Sequence, residues 1–210
     1  MKKLSRRLIH EAKKKNAWFY GNQVLYDLCK RHGEHRDIGV VVARIWLIGR
    51  AYTAAIERRK NKGAEEDNDT VYIDVMAPRI IESPIDDWLA EARQATPNSK
   101  TGIATLVRVH RLTTDLFSDI SGLQKRSLAS KYIRFHIPKL AYIYDSPAAS
   151  AMRLLSVRLP RVIPKYESED RECRKFVQKC EFLRTECLTK YGERLSPRQI
   201  DNLLLHVREK

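Results

Sequence analysis

From Ser127 to Ser150 the hydrophobic pattern predicts a helix, a turn and the start of a second helix. At ~100° per residue, Leu128, Ala129, Tyr132, Ile133 and Phe135 share an apolar face, and Ser130 and Arg134 point away from it. Lys131 falls at the border, where its ammonium lies against apolar surface. Pro138 stops this helix because its ring cannot continue one. The apolar run from Leu140 to Tyr144 then leads to Asp145, Ser146 and Pro147, the order of a capping residue followed by proline in the first turn.

Elsewhere the period is also that of helices. Leu4, Leu8, Ile9 and Ala12 form a modest stripe beneath a basic run. Asn22 is placed to cap a helix reaching Gly33, with Val24, Leu25, Leu28 and Cys29 inward. Asp37 caps the most apolar stretch, from Ile38 to about Lys60, whose hydrophobic residues cover too much of the circumference for a surface helix and mark it as the central one. Gly49 within it points to a close approach of another helix or of a ligand, and a buried Arg50 needs a carboxylate or phosphate partner, for which Asp145 is one candidate. Residues 61–70 read as a hydrophilic linker, and Val71 to Met76 fits either strand or helix. Helices are predicted from Ser83-Pro84, from Gly102 to about Phe117, and from Ala148 to Leu159. Pro160 and Pro164 make an extended connector, and Ser168 opens a further helix that Gly192 closes. Ser196-Pro197-Arg198-Gln199 is a capping box that starts the last one, ending near Arg208. The chain therefore reads as all-α. It forms one compact multi-helix domain over 1–210, or two interlocked lobes, 1–62 with the C-terminal helices and 63–160 carrying the hairpin.

Charge narrows the choice of partner. The 210 residues carry 40 Lys+Arg and 26 Asp+Glu, a net charge of +14, which favours nucleic acid. Nine acidic residues and one basic residue lie between Glu65 and Glu91, so the rest of the chain carries +22. No apolar run approaches ~18 residues and none follows Met1 as in a signal peptide, so a cytoplasmic protein without a membrane partner is expected. Cys173, Cys180 and Cys187 recur every seven residues, which on a helix sets them in one stripe with Phe176, Val177, Leu183, Leu188 and Tyr191. They read as core side chains, and neither a metal nor a cofactor is expected.

The residues Ser130-Lys131, Phe135-His136, Pro138 and Tyr144-Asp145-Ser146 resemble the catalytic hairpin of the helix-hairpin-helix DNA glycosylase superfamily, within it the 8-oxoguanine glycosylase-like branch. The resemblance covers about two dozen residues of the chain. It implies a glycosylase-like fold in which Lys131 attacks the sugar carbon of a damaged nucleotide and Asp145 stabilises the developing charge. Strand cleavage by elimination can follow, and the partner is double-stranded DNA with a damaged or abasic nucleotide, bound by a monomer. The spacing of lysine and aspartate is 14 residues, and Gly122 stands alone where the family carries a Gly-x-Gly turn.

An amine of ordinary basicity, near ~10.4, is almost wholly protonated at neutral pH. A nucleophilic lysine therefore needs burial and nearby cations, and Lys125, Arg126 and Arg134 are the candidates. With His136 these are also the expected DNA contacts, while Tyr52, Trp46 and Tyr144 are candidates for the walls of a base pocket. The bland alternatives are a snorkelling lysine and a simple helix cap. They lead to a basic helical nucleic-acid-binding protein without catalysis. No histidine has an arginine at the offset of the common helical ribonucleases, and no phosphate-binding glycine loop, HExxH or G-x-S-x-G motif occurs.

Overall fold

The computed structural model describes residues 3–60, 67–155, 157 and 170–208. Among these residues every regular element is helical. Helix α1 spans Arg6–Lys13, α2 Ala17–Arg31, α3 Ile38–Ala51 and α4 Asn68–Val71. A π-helical turn, Tyr72–Met76, joins α4 to α5, Ala77–Ile81, so the stretch that fitted strand or helix is helical. Then come α6, Ile85–Gln94, α7, Lys100–Ser121, α8, Arg126–His136, and α9, Ser146–Leu154. Helices α10, Arg171–Tyr191, and α11, Pro197–Arg208, complete the order. No helix among the described residues is long and apolar enough to cross a membrane. The expected lobe boundary falls partly, and the Pro160–Pro164 connector and Ser168 wholly, outside the described residues.

Caps fix most of the starts. Side chains of Ser5, Asn16, Asp37, Ser99, Asp145 and Asp170 each accept a backbone N–H from the first turn that follows. At α11 the capping box is reciprocal: Ser196 Oγ accepts from Gln199 N at 3.3 Å while Gln199 Oε1 accepts from Ser196 N at 2.8 Å. Because Asn16 takes the cap, α2 begins at Ala17, and Asn22 lies within the helix and is buried. Val24 consequently faces solvent.

The central helix is α8. Every residue from Leu128 to His136 is buried, so Ser130 and Arg134 do not point away from the core as the wheel suggested. Helix α3 instead leaves Ile38, Trp46 and Leu47 exposed along one side. It also ends at Ala51, well before Lys60. The chain turns at Thr53, whose φ is 51°, and Ala54 N donates back to Gly49 O at 2.8 Å. A Cβ on Gly49 would lie 3.1 Å from Ala55 Cα, so the close approach signalled by this glycine is the chain's own return. That return seats Ala55, Ile56 and Glu57 in the interior.

One continuous buried cluster runs from Ile9 in α1 to Val207 in α11. Helix α11 closes it by packing on both α1 and α9. Cys173, Cys180 and Cys187 are buried along α10 beside Phe176, Val177 and Leu183. Leu188 is exposed, and Tyr191 turns its hydroxyl to donate to Leu4 O at 2.7 Å.

Candidate active site

Two side chains of adjacent residues bring the hairpin together. Ser130 Oγ accepts from Tyr144 N at 3.0 Å and donates to Ser127 O at 2.9 Å. The returning segment is thereby stitched along α8 one residue from Lys131 on one side and one residue from Asp145 on the other. Asp145 caps α9 with one oxygen, Oδ1 accepting from Ala148 N at 2.9 Å. Its other oxygen, Oδ2, lies 3.0 Å from Lys131 Nζ.

Lys131 is buried, at 3 % exposure. Its ammonium donates to three acceptors from three elements: Ser127 Oγ one turn back in α8 at 2.8 Å, the Tyr52 carbonyl at the end of α3 at 3.4 Å, and Asp145. The Tyr52 ring lies beneath it at 5.7 Å. The early end of α3 matters here, because a helix continuing to Lys60 would have consumed the Tyr52 carbonyl in its own ladder.

Asp145 is the boundary between this buried amine and open space. It lines a cavity of about 360 Å³ with Trp18, Asn22, Tyr52, Ala148, Arg198 and Asn202 among its walls, a size in the range of small-molecule sites. It also lines a second cavity of about 380 Å³, shared with Gln124, Arg126, Ser127, Tyr144 and Arg153. Lys131 lines neither and stands behind Asp145.

The other expected contacts are distributed differently. Arg134 is buried against Asp201, Nε to Oδ2 at 3.1 Å, and donates from Nη1 to Pro138 O at 2.7 Å. His136 is buried between His35 and Tyr132, at ring centroid distances of 5.2 and 4.8 Å. Burial holds its imidazole well below the usual histidine range, so it carries no charge to offer a phosphate. Lys125 Nζ donates to the carbonyls of Ala55 at 3.0 Å and Arg58 at 2.6 Å. Burial pushes it down to about 8, and its role is to satisfy the chain return after α3. Arg126 lines the second cavity beside Asp145, which the other three do not, and it pairs with Asp170 Oδ2 at 3.0 Å. The cations proposed to surround Lys131 thus each have an acceptor of their own.

Of the three aromatic candidates, Tyr52 lines the first cavity beside Asp145, with Trp18 at a ring distance of 5.5 Å. Tyr144 lines the second cavity and stacks on Phe176 at 4.9 Å. Trp46 lies on the exposed side of α3 beneath the Arg50 guanidinium and lines neither. Arg50 pairs with Glu57 at 2.9 Å and leaves Asp145 to Lys131. Sequence reasoning missed Ser127, Trp18, Asn22 and Arg198. Trp18 carried a usable signal, an aromatic one turn from Asn22, whereas Arg198 read only as part of a cap.

Comparison with family models, with curated proteins and with solved structures finds no match for the chain. The site is therefore defined by its own geometry, a buried lysine paired with a helix-capping carboxylate at the wall of a cavity.

Proposed function

We propose that this protein is a DNA glycosylase with an associated lyase step, acting on double-stranded DNA that contains a damaged, oxidised base. The observation that carries this reading is the Lys131–Asp145 contact of 3.0 Å, with Asp145 opening onto the cavity walled by Trp18 and Tyr52. The net charge of +14 supplies the non-specific phosphate affinity that offsets flipping a nucleotide out of the duplex. Both reacting groups come from one chain, so a monomer suffices.

In this mechanism Asp145 takes a proton from Lys131, and the neutral Nζ attacks C1′ as the bond to the base breaks and the base leaves with its electron pair and a proton. The sugar ring opens to a Schiff base with Lys131. Loss of the proton at C2′ expels the 3′ phosphate, and water then releases the lysine. Reaching C1′ requires the amine to leave Ser127 and the Tyr52 carbonyl and move past Asp145.

Borohydride reduction traps such a Schiff base as a stable amine, so incubation with a duplex containing an abasic site should give a covalent adduct. Lys131→Gln should abolish the adduct and retain most of the DNA affinity. A second reading, a non-catalytic nucleic-acid-binding protein, is favoured by the three acceptors already on Lys131 Nζ. It requires that wild type trap nothing on lesion-containing or abasic duplexes, and that result would retire the enzyme assignment.

A further inference from the structure

The cavity beside Asp145 is unusual in its unmet donors. Asn22, 2 % exposed, gives its Oδ1 to the Tyr52 hydroxyl at 2.8 Å, and its Nδ2 has no acceptor. Arg198, at the start of α11, lies beside the hydroxyls of Tyr26 and Tyr52, but its Nε and Nη2 are buried without a hydrogen bond of good geometry. Asp201, the nearby carboxylate, is already occupied: Oδ2 accepts from Arg134 and Oδ1 from Ile143 N at 3.2 Å. Both residues line the same cavity as Trp18, Tyr52 and Asp145. Nε and Nη2 form one edge of a guanidinium, the edge that grips a pair of adjacent acceptors. Each such donor has lost its hydration without a replacement, a cost that an incoming acceptor recovers.

We infer that Asn22 and Arg198 are the base-reading residues of this cavity, which takes an uncharged heterocycle presenting two neighbouring acceptor atoms on one edge and resting against the wall that the touching rings of Trp18 and Tyr52 form. The inference rests on the glycosylase reading for its biological ligand, and on the donors alone for its chemistry. A base without a carbonyl oxygen leaves the Arg198 edge unmatched. A cationic alkylated base would in addition face the guanidinium charge. Because the donors are fixed in a desolvated wall, discrimination should be far steeper than a hydrophobic pocket achieves.

Two measurements test this separately from the function. In the first, free hypoxanthine, which carries a ring nitrogen and a carbonyl oxygen on one edge, is titrated while tryptophan fluorescence is followed. Saturable quenching is expected in wild type, its loss in Trp18→Phe, and at least a ~10-fold weaker midpoint in Arg198→Gln and Arg198→Lys. Arg198 makes no hydrogen bond from Nε or Nη2 in the free protein, so these variants should fold, and Asn22→Ala serves as the independent second site. Unchanged midpoints in the Arg198 and Asn22 variants, or no quenching in wild type, would overturn the inference. In the second, single-turnover excision is compared between duplexes carrying hypoxanthine and duplexes carrying 3-methyladenine. Arg198→Gln should slow hypoxanthine excision by ~10-fold or more yet leave borohydride trapping at an abasic site, where there is no base to read, within a factor of three. Equal losses in excision and abasic trapping would instead make Arg198 a structural residue and overturn the assignment. Failure of wild type to trap an abasic site, with quenching intact, would remove the glycosylase reading and leave the ligand-binding inference standing.

Discussion

Asp145 performs two tasks with two oxygens, and they can be separated chemically. Asparagine caps a helix about as well as aspartate, so Asp145→Asn should keep the Ala148 contact and leave stability within about 1 kcal/mol. It removes the charge facing Lys131. Under the proposed mechanism base release should then slow by ~10²-fold or more, measured in single-turnover excision, with DNA affinity retained. Arg134 gives the opposite separation. Its guanidinium answers a buried carboxylate on Asp201 and lines neither of the cavities beside Asp145. Arg134→Met should therefore cost about 3–5 kcal/mol by strandings of the Asp201 charge, read in urea denaturation, and change DNA affinity only in proportion to the unfolded fraction. A large affinity loss in folded Arg134→Met would restore it as a phosphate contact.

At the scale of elements, the positions of helix ends decide where the site groups fall. The end of α3 at Tyr52 delivers a free carbonyl to Lys131, and the start of α9 delivers Asp145. Helix α7, the longest among the described helices, shows how tightly such an end is specified. It begins at Lys100, not at Gly102, under the Ser99 cap. A Cβ on Gly102 would fall 2.0 Å from the Thr96 carbonyl oxygen and 3.0 Å from Ser99 Oγ. Alanine ordinarily improves a helix by about 1 kcal/mol over glycine, but here the clash involves backbone and the cap itself. Gly102→Ala should destabilise by about 1–3 kcal/mol, and a rise in melting temperature would show that the turn at 96–99 relaxes freely.

The whole molecule should be sensitive to acid through three buried histidines. Burial pushes His35 and His110 down to about 4 and His136 further down. In the unfolded chain each returns to about 6.5. The unfolded state therefore binds more protons, and their stabilising contribution is complete above pH 6.5 and is lost as pH falls towards 4. His35 and His110 each correspond to about 3 kcal/mol across that window. Asp201, which burial pushes up to about 6, acts in the opposite sense and offsets part of the loss. Melting temperature should fall steeply between pH 6.5 and 4. His136→Phe should flatten that slope, since neither ring nitrogen of His136 has a hydrogen-bond partner to lose. An unchanged slope would assign the acid sensitivity to the other two.

Local order in the chain was enough to determine the helical class, the caps at Asp37, Asp145 and Ser196, the hairpin between α8 and α9, and the cysteine stripe of α10. These depend on contacts within a few residues, where period and capping chemistry act directly. Depth was not determined in the same way. A helical wheel records which side of a helix is apolar, but Ser130, Lys131 and Arg134 are buried because partners far along the chain, Tyr144, Asp145 and Asp201, satisfy them. The same holds for α3, read as central for its hydrophobicity, and for Arg44, whose guanidinium is fully buried on the carbonyls of His32 and Glu34 at 2.7 and 2.8 Å. The cavity that joins Trp18 and Asn22 of α2, Tyr52 at the end of α3, Asp145 and Arg198 of α11 exists only once α11 closes the bundle. Its composition is a property of packing, which brings together residues separated by more than a hundred positions and leaves their donors without acceptors in a space that no local pattern records.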